Sequence, residues 1–576
     1  MGISSGRIID NAGRKALAIG VEDFERLIGS YVYVDKSLLA RELIDRREFG
    51  ATLFCRPRRF GKSLAMRMLQ CYFEAPVEGA SVPIPDRSAL FDGLAIMQAG
   101  ERYTREQGAH PVVYLNLGGA HGMTWEEVSS SIASYMAGEC KRHDYLLDSG
   151  VLDEGEKARL SCMKDGRFEP IELKTSLAWL SGLLARHHGA GTVILIDEYD
   201  APVTEGHLRG FRDEAVTFYR SWLTDALKGT TSLYTAVLTG VQRVSRESIF
   251  SGLNNIEVDT ALNHRFSEAF GFTEEEAAEL ATYLGRDGSL DEMRDWYDGY
   301  VFGGERVYNP WSLLSYLAEG GVAQPYWGNT SSNAVVHDLF RQAEGVTREE
   351  LEALAAGGAV SEPIDLATVF DMIGVDPQAI WSQLYLAGYL TTGDTAEPNN
   401  VFLERELRVP NREVGLLYRQ EFAERSLTVA GNRASLTALH RALKAGDAPA
   451  LEAALRRILL DSPSALDLVR ENSYHMLLVG LLYYVYGYRF PLSNREAGDG
   501  RADVVLVPER ENLGRLPGLA VEVKWGRGLD DAGLAALAEA ALAQAESRSY
   551  ADALPEGPRL AWGVAFSGKQ AAARCR

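Results

Sequence analysis

Residues 51–66, ATLFCRPRRFGKSLAM, decide the fold of the first part of the chain. An apolar run that predicts a strand leads into a basic loop ending in Gly61-Lys62-Ser63, and apolar residues at helical spacing follow. These are the elements of a phosphate-binding loop, in which backbone N–H groups and a helix N-terminus face phosphate oxygens. Arg56 departs from the pattern, because it stands where the loop G-x-x-x-x-G-K-[ST] begins with glycine.

A second motif supplies the acidic half of a nucleotide site. The segment 192–200, TVILIDEYD, is a run of apolar residues that ends in Asp197 and Glu198. A buried strand of this kind delivers one carboxylate to Mg²⁺ and places the next acid where it can polarise a water molecule. Asp200 has a simpler interpretation, as a cap of the following helix. Together the two motifs predict a nucleotide-binding site.

Hydrophobic patterning divides the chain into three predicted domains. Residues 1–272 alternate short apolar strands with helical stretches, which predicts a parallel sheet covered by helices on both faces. Residues 273–464 read as mostly helical, and residues 465–576 read as a second, smaller α/β unit. The predicted fold class is therefore α/β, with a P-loop domain, a helical middle region and a C-terminal α/β domain.

Composition and charge exclude several classes of protein. The formal net charge is −21, so the chain lacks the broad positive surface that nonspecific nucleic-acid binding needs, and any such contact must be local or assisted by metal ions. The five cysteines form no C-x-x-C pair, which argues against zinc and against a disulfide framework. The longest apolar run, 474–490, is shorter than a bilayer requires and is interpreted as a buried helix. Since the N-terminus lacks an apolar signal segment, we expect a cytoplasmic protein with no membrane contact.

A second constellation lies near the end of the chain, in LAVEVKWG (519–526). Strand alternation puts Glu522 and Lys524 on one face. An acid beside a base suits metal-dependent cleavage of phosphodiesters, in which the carboxylate holds Mg²⁺ and the ammonium orients water or stabilises charge. A lone E-x-K pair is common on exposed strands, but Asp503 in the preceding predicted strand offers a second metal ligand. The three residues predict a nuclease site that takes Mg²⁺ or Mn²⁺.

Several long segments carry a family resemblance. YVDKSLLARELI (33–44), FCRPRRFGKSLAMRML (54–69), ILIDEYDAPV (194–203) and AVLTGVQRVSRESIFSGLNN (236–255) resemble the bacterial AAA-ATPase-like family. Members of that family commonly carry a C-terminal nuclease-fold domain of the PD-(D/E)XK type, similar to restriction endonucleases. The family uses R-P-R-R-F-G-K-[ST] in place of the usual loop, so the resemblance accounts for Arg56 as a family trait. The likeness covers most of the chain, from about residue 19 to 566.

The resemblance implies roles for single residues. Lys62 and Ser63 are expected to contact phosphate and Mg²⁺, Asp197 to bind the metal, and Glu198 to activate water. Thr239 ends a strand where related ATPases place a γ-phosphate sensor, and Arg243 or Arg246 follows as an arginine finger, unless each is a surface salt bridge. The expected nucleotide contacts are Arg56, Pro57, Arg58, Arg59, Phe60, Gly61, Lys62, Ser63, Asp197, Thr239 and Arg243. The expected metal ligands are Ser63, Asp197, Asp503 and Glu522, and the expected catalytic residues are Glu198, Asp503, Glu522 and Lys524.

Two further residues belong to the C-terminal constellation. Gln544, on the predicted Ala-rich helix, matches a polar position of the family. His475 is interpreted as a hydrogen-bonded, partly buried histidine in preference to a catalytic base.

The sequence thus predicts an ATP-binding and ATP-hydrolysing protein whose ATPase domain controls a Mg²⁺-dependent nuclease acting on DNA or RNA. A homo-oligomer is compatible with the arginine-finger alternative. The rival interpretation is a slow ATPase that serves as a signalling switch or scaffold, with the nuclease fold used for binding.

Overall fold

The computed structural model of the chain describes residues 8–228, 231–243, 255–327, 346–355, 357–366, 379–398, 400–418, 433–461, 471–482, 485–489, 491–497, 500–509, 512–547, 554 and 557–576. The chain forms two compact units. The first comprises Met1–Ala343 and Ala359–Val414, and the second comprises Glu344–Gly358 and Gly415–Arg576. The finer three-part division at residues 272 and 464 stays a prediction.

The strands of the first unit are short. They are β1 (Ile8–Ile9), β2 (Tyr33–Val34), β3 (Ala51–Cys55), β4 (Val112–Asn116), β5 (Thr192–Asp197), β6 (Leu233–Gly240), β7 (Ile256–Asp259), β8 (Tyr300–Phe302), β9 (Glu305–Val307), β10 (Ala359–Pro363) and β11 (Glu404–Arg408). The strands of the second unit are β12 (Leu492–Ala497), β13 (Gly500–Leu506), β14 (Gly518–Trp525), β15 (Arg559–Ser567) and β16 (Gln570–Cys575).

The helices connect and cover these strands. Up to residue 320 they are α1 (Phe24–Ser30), α2 (Leu38–Asp45), α3 (Lys62–Phe73), α4 (Glu101–Thr104), α5 (Trp125–Arg142), α6 (Glu154–Lys164), α7 (Pro170–His188), α8 (Ala201–Arg209), α9 (Arg212–Leu227), α10 (Glu274–Tyr283), α11 (Leu290–Tyr297) and α12 (Pro310–Ala318). Beyond it they are α13 (Val346–Ala355), α14 (Ala379–Ala387), α15 (Arg433–Ala445), α16 (Ala448–Asp461), α17 (Glu471–Leu482) and α18 (Asp531–Ser547).

The main sheet of the first unit is parallel throughout, in the order β4-β5-β6-β3-β7. One face packs against α5, α7 and α9, with Leu53 and Ile194 in that core. Residues of the opposite face, such as Phe54 and Leu195, are buried as well, which is why these strands are apolar without alternation. The predicted parallel α/β sheet is confirmed.

Strand order and register bring the ends of four strands to one edge. Cys55 at the end of β3 pairs with Gly240 at the end of β6, and Asn116 at the end of β4 pairs with Asp197 at the end of β5. Because β6 lies between β3 and β5, the loop after β3 and the acids after β5 flank the residues that follow β6. In parallel sheets, ligands bind at the carboxyl ends of the strands.

The region after the main sheet is largely helical. Thr273 begins α10 with a capping box in which its hydroxyl accepts from the Glu276 N–H and the Glu276 side chain accepts from the Thr273 N–H. Two small antiparallel pairs, β8–β9 and β10–β11, interrupt the helices.

The sheet of the second unit is mixed, in the order β12-β13-β14-β15-β16. Strands β13 and β14 are antiparallel, whereas β14 and β15 are parallel and are connected through α18. The helix lies directly on the sheet, since a Cβ on Gly563 would come within 2.3 Å of the α18 backbone at Ala538 and Leu542. The strands that carry Asp503 and Glu522 are thus neighbours in this sheet.

The apolar run near residue 480 forms α17, whose residues Tyr474 and Leu478 are buried. Across the described part of the chain, no helix combines the length and the apolar character needed to cross a bilayer.

Candidate functional site

The loop after β3 has the backbone of a phosphate-binding loop. Gly61 precedes α3 with φ of 84°, a left-handed conformation that glycine adopts without steric cost. The Arg56 N–H donates to the Gly240 carbonyl at 3.1 Å, which fixes the start of the loop against β6. The helix N-terminus therefore opens at the carboxyl edge of the sheet, where anions bind.

Lys62 is the buried cation of this loop. Its Nζ donates to the carbonyls of Arg56 at 2.9 Å and Pro57 at 2.8 Å. Burial lowers the pKa of Lys62, and the charges of Asp197 and other nearby acids act against that shift. The ammonium is thus held at the site by loop carbonyls, within reach of the acids that follow β5.

Asp197 lies at the centre of the edge and is fully buried. Its carboxylate accepts hydrogen bonds from the Thr239 hydroxyl and, at 3.0 Å, from the Glu198 N–H. The Asn116 Nδ2 lies 3.4 Å from its other oxygen. The structure therefore brings together Asp197 and Thr239, two residues that the sequence singled out separately.

Glu198 follows with an unusual backbone. Its φ is 51°, in the left-handed region that costs non-glycine residues energy, and its side chain reaches the open edge of the sheet. Gly118 gives the carboxylate room, because a Cβ there would lie 2.4 Å from Glu198 Oε2. Partial desolvation and the like charge of Asp197 raise the pKa of Glu198. A carboxylate of raised pKa at this place can accept a proton from water.

The fit of Mg²⁺ to this edge follows from the donor set. Asp197 offers a carboxylate, and Ser63 offers a hydroxyl in the first turn of α3. No group of three or more His, Cys, Asp or Glu side chains converges as a metal cluster in the residues that the structure covers. Mg²⁺ takes one or two protein ligands and completes its shell with phosphate oxygens and water, and a carboxylate with a hydroxyl can serve as those ligands.

Asn116 and Gly118 were missed by sequence reasoning. Both follow the apolar run of β4, in PVVYLNLGG (111–119). A polar residue at the end of a predicted strand was the available signal. That signal assigns Asn116 to the site only once the strand order is known, because the order places β4 beside β5.

Arg56 was expected among the nucleotide contacts, and the structure places its side chain in the sheet. Its guanidinium is completely buried, where it pairs with Asp259 at 2.5 Å and donates to the carbonyls of Cys55, Asp259 and Phe266. It therefore joins β3 to β7 and the following segment, and only the Arg56 backbone reaches the loop's lysine. The glycine position is filled by a residue that stabilises the sheet, and its side chain supplies no charge to a phosphate.

The remaining loop side chains divide into two kinds. Pro57 and Phe60 are buried, and Phe60 packs on the ring of Tyr300 at 4.9 Å. Arg58 and Arg59 are exposed, and the Arg59 guanidinium lies 3.8 Å from the centre of the Trp311 ring. Of these four side chains, the two exposed arginines are the ones that a ligand at the loop can reach.

Arg243 follows β6 and is half-buried. Its Nε is enclosed and has no hydrogen-bond partner among the described residues. Arg246, the alternative arginine finger, lies outside the described residues, so the choice between the two stays a prediction.

A cavity of about 90 Å³ opens beside Gly61. Its walls are mostly apolar, from Val21 before α1, Leu64 and Met68 on α3, and Pro310 at the start of α12. Apolar walls next to a phosphate loop suit the base of a nucleotide, with a few polar groups to orient it.

The structural role of Arg56 makes a prediction about stability. Arg56→Met leaves Asp259 buried without its cation, and should lower the free energy of unfolding by about 3–5 kcal/mol. Thermal or denaturant unfolding measures this loss, and ATP affinity of the folded protein should change little. The double variant Arg56→Met/Asp259→Leu is the matched control, and it should recover part of the stability. A single variant that keeps its stability but loses ATP affinity would restore the phosphate role of Arg56.

The C-terminal constellation assembles at the pairing of β13 and β14. The Asp503 Oδ2 accepts from the Val523 N–H at 2.7 Å, so this carboxylate lies beside the strand segment that carries Glu522. Lys524 Nζ lies 3.7 Å from Glu522 Oε1. The structure therefore brings together the three residues predicted as a nuclease site.

Two helices each contribute a hydrogen bond to this cluster. Gln544 on α18 donates to the Glu522 carboxylate. His475 on α17 is buried, and its Nε2 donates to the Asp503 carbonyl at 3.0 Å, which requires the proton on Nε2 if the ring is neutral. His475 is thus the hydrogen-bonded, buried histidine that the sequence predicts.

Comparisons with known proteins bear on the first unit. Residues 18–250 match the sequence profile of the AAA-ATPase_like family, described as "Predicted AAA-ATPase". A protein of Azotobacter chroococcum mcd 1, described as "Uncharacterized protein in vnfD 5'region", is 30% identical over 415 residues, which cover 70% of this chain and 68% of that protein.

One solved structure with a similarity is a signal transduction ATPase with numerous domains (STAND) that carries a tetratricopeptide repeat sensor, from Pyrococcus horikoshii. The sequence identity is 16% and the TM-score is 0.24, over 76% of this chain and about half (52%) of that one. A similarity at this level does not establish a shared fold.

The profile match covers the phosphate loop, the acids after β5 and the end of β6, which are the elements that meet at the sheet edge. The match to the Azotobacter protein extends the relationship over most of both chains. The protein described here belongs to the AAA-ATPase-like family, with its ATPase domain at residues 18–250.

Proposed function

We propose that this chain hydrolyses ATP in its first unit and that the ATPase cycle controls a metal-dependent nuclease in its second unit. The observation that carries the ATPase is the meeting of Lys62, Asp197 and Glu198 at one sheet edge, at the N-terminus of α3. Family membership supports the same activity.

The residues of the first unit divide the work of hydrolysis. Lys62 and the N–H groups that begin α3 bind the terminal phosphates. Ser63 and Asp197 hold Mg²⁺, which neutralises charge on the phosphate oxygens when bound. Glu198 takes a proton from the attacking water, and the Thr239 hydroxyl keeps the Asp197 carboxylate oriented.

The second unit supports a nuclease through its carboxylates and lysine. Asp503 and Glu522 hold Mg²⁺ or Mn²⁺ through oxygen, and Lys524 orients water or stabilises charge on the scissile phosphate. Gln544 fixes the Glu522 carboxylate. The substrate is DNA or RNA, held by local contacts, because the net charge of −21 opposes a wide basic channel.

One observation favours the rival function, a slow ATPase switch whose nuclease fold only binds. Glu522 is 3% exposed and already engaged by Gln544 and Lys524, so its carboxylate is held inside the protein. In that case ATP binding would change the partners of the second unit without any cleavage.

Cleavage assays separate the two functions. Purified full chain is incubated with single- and double-stranded DNA and RNA, with Mg²⁺ or Mn²⁺, in the presence of ATP, ADP or no nucleotide. The nuclease function predicts cleavage that depends on ATP and disappears in Lys524→Ala, with ATP turnover unchanged in that variant. If wild type and Lys524→Ala behave alike on every substrate, the switch is the better description.

A further inference from the structure

Asp200 does not act as the helix cap that its position suggests. It occupies the N-cap position of α8, but its side chain makes no capping hydrogen bond to that helix. Instead its Oδ2 accepts from the backbone N–H groups of Val241 at 2.9 Å and Gln242 at 2.8 Å, just after β6. A carboxylate that accepts two N–H groups from a distant segment holds that segment by charge-assisted hydrogen bonds.

The contact continues on both sides of Asp200. The Tyr199 N–H donates to the Thr239 carbonyl at 3.0 Å, and the Tyr199 hydroxyl donates to the Gln242 carbonyl at 2.8 Å. Gly240 is closed in, because a Cβ there would lie 2.7 Å from both Asp200 Oδ1 and the Tyr199 ring. The segment 199–200 and the segment 239–242 are therefore joined residue by residue.

The joined segment begins with Thr239 and is followed by Arg243, and both are residues predicted for the nucleotide site. Thr239 bonds to Asp197 at its start, and Arg243 follows directly after it. The Arg243 Nε is enclosed and has no hydrogen-bond partner among the described residues. The place of both side chains depends on the backbone that Asp200 holds.

The Asp200 carboxylate also lies near the loop. Burial raises the pKa of Asp200, whereas the two backbone N–H groups and the charge of Lys62 oppose that shift. The Gln242 Nε2 donates to Gln383 Oε1 at 2.9 Å. This contact involves only the Gln242 side chain, so the N–H groups of Val241 and Gln242 still donate to Asp200.

We propose that Asp200 is a positioning residue for ATP hydrolysis. It fixes the backbone of residues 240–242, so that Thr239 stays on Asp197 and Arg243 keeps its place directly after β6. This inference rests on the proposed ATPase function. It assigns to the third acid of DEYD a role distinct from metal binding and from activation of water.

The test combines hydrogen exchange with kinetics in the full chain. In Asp200→Ala, amide exchange of a peptide containing Val241 and Gln242 should accelerate about tenfold or more without nucleotide, because both N–H groups lose their acceptor. The kcat for ATP should fall by roughly ten- to a hundredfold, as expected for a displaced catalytic group, while the ATP dissociation constant changes less than about threefold. Asp200→Asn keeps one acceptor oxygen and should give intermediate values of both.

Two further variants distinguish positioning from general stability. Arg243→Ala combined with Asp200→Ala should lose less activity than the product of the two single losses, since Asp200 acts in part through Arg243. Asp213→Asn, on an aspartate whose side chain is 96% exposed, should match wild type in exchange and in kcat. Should Asp200→Ala fail to fold, Asp200→Asn carries both measurements.

The outcomes also separate this inference from the ATPase assignment. If Lys62→Ala is inactive but Asp200→Ala and Asp200→Asn keep wild-type exchange and kcat, Asp200 holds nothing and the inference is overturned. The inference is also overturned if the loss of kcat in the double variant equals the product of the losses in Asp200→Ala and Arg243→Ala. Unchanged turnover in Lys62→Ala instead removes the ATPase site, and the positioning role with it.

Discussion

Replacing Lys62 with alanine is expected to lower the ATP turnover of the full chain by about a hundredfold or more, the loss typical of a removed charge-stabilising group. The ammonium is the buried cation of the phosphate loop, held by the carbonyls of Arg56 and Pro57. Its removal takes away a positive charge that the backbone N–H groups of the loop cannot replace. Phosphate release measures kcat, and a nucleotide-binding titration should show weaker binding too.

Glu198→Gln is the matched comparison for Lys62→Ala. A glutamine keeps the size of the side chain but cannot take a proton, so turnover should fall by about 10²–10⁴ while ATP binding stays near wild type. Because the pKa of Glu198 is raised, wild-type turnover should decline on acidification at a higher pH than an ordinary glutamate would give. Wild-type turnover in Lys62→Ala, or loss of ATP binding in Glu198→Gln with binding kept in Lys62→Ala, would contradict this division of roles.

Local patterns were sufficient to predict the elements of the nucleotide site. The order of strand, basic loop and helix around Gly61 is a local signal, and so is an apolar run that ends in Asp197. Their meeting at one edge followed from the parallel sheet, because parallel strands bring their carboxyl ends together. Thr239 was named through the family resemblance alone, and its hydrogen bond to Asp197 is known only from the structure.

Long-range contacts were beyond what the sequence could predict. Arg56 looked like a ligand for phosphate because its partner, Asp259, stands 203 residues away and is unremarkable in the sequence. Asp200 looked like a helix cap because its true partners, the N–H groups of Val241 and Gln242, are backbone groups that leave no trace in residue identity. Patterning predicts which residues face the core, and it carries no information on which buried charge meets which.

The other prediction with a large expected effect concerns metal binding in the second unit, when Asp503 loses its charge. Asp503→Asn should weaken binding of Mn²⁺ at this site by more than about tenfold, since even the loss of residues that only orient metal ligands costs ten- to a hundredfold. Any nucleic-acid cleavage should be lost with it. ATP turnover should stay at the wild-type level, because Lys62 and Asp197 belong to the other unit.

Asp503→Asn removes the charge of the side chain but can keep its hydrogen bond. One carboxylate oxygen accepts from the Val523 N–H at 2.7 Å, and the carbonyl oxygen of an asparagine can keep that hydrogen bond. The β13–β14 pairing should therefore survive, and the melting temperature should change little. The substitution removes the negative charge of Asp503 and leaves that of Glu522. The Lys524 Nζ, 3.7 Å from Glu522 Oε1, offsets the charge that remains.

Calorimetric titration with Mn²⁺ in the absence of nucleotide measures the effect directly. Asp197→Asn is the matched control, because it removes the corresponding carboxylate of the first unit and should leave the C-terminal binding isotherm intact. Two neighbouring carboxylates repel each other unless a cation intervenes, so a divalent ion should bind wild type and Asp197→Asn alike. If Asp503→Asn keeps the wild-type isotherm, Asp503 and Glu522 are ordinary charges held by Val523 and Gln544, and the second unit acts without metal at this place.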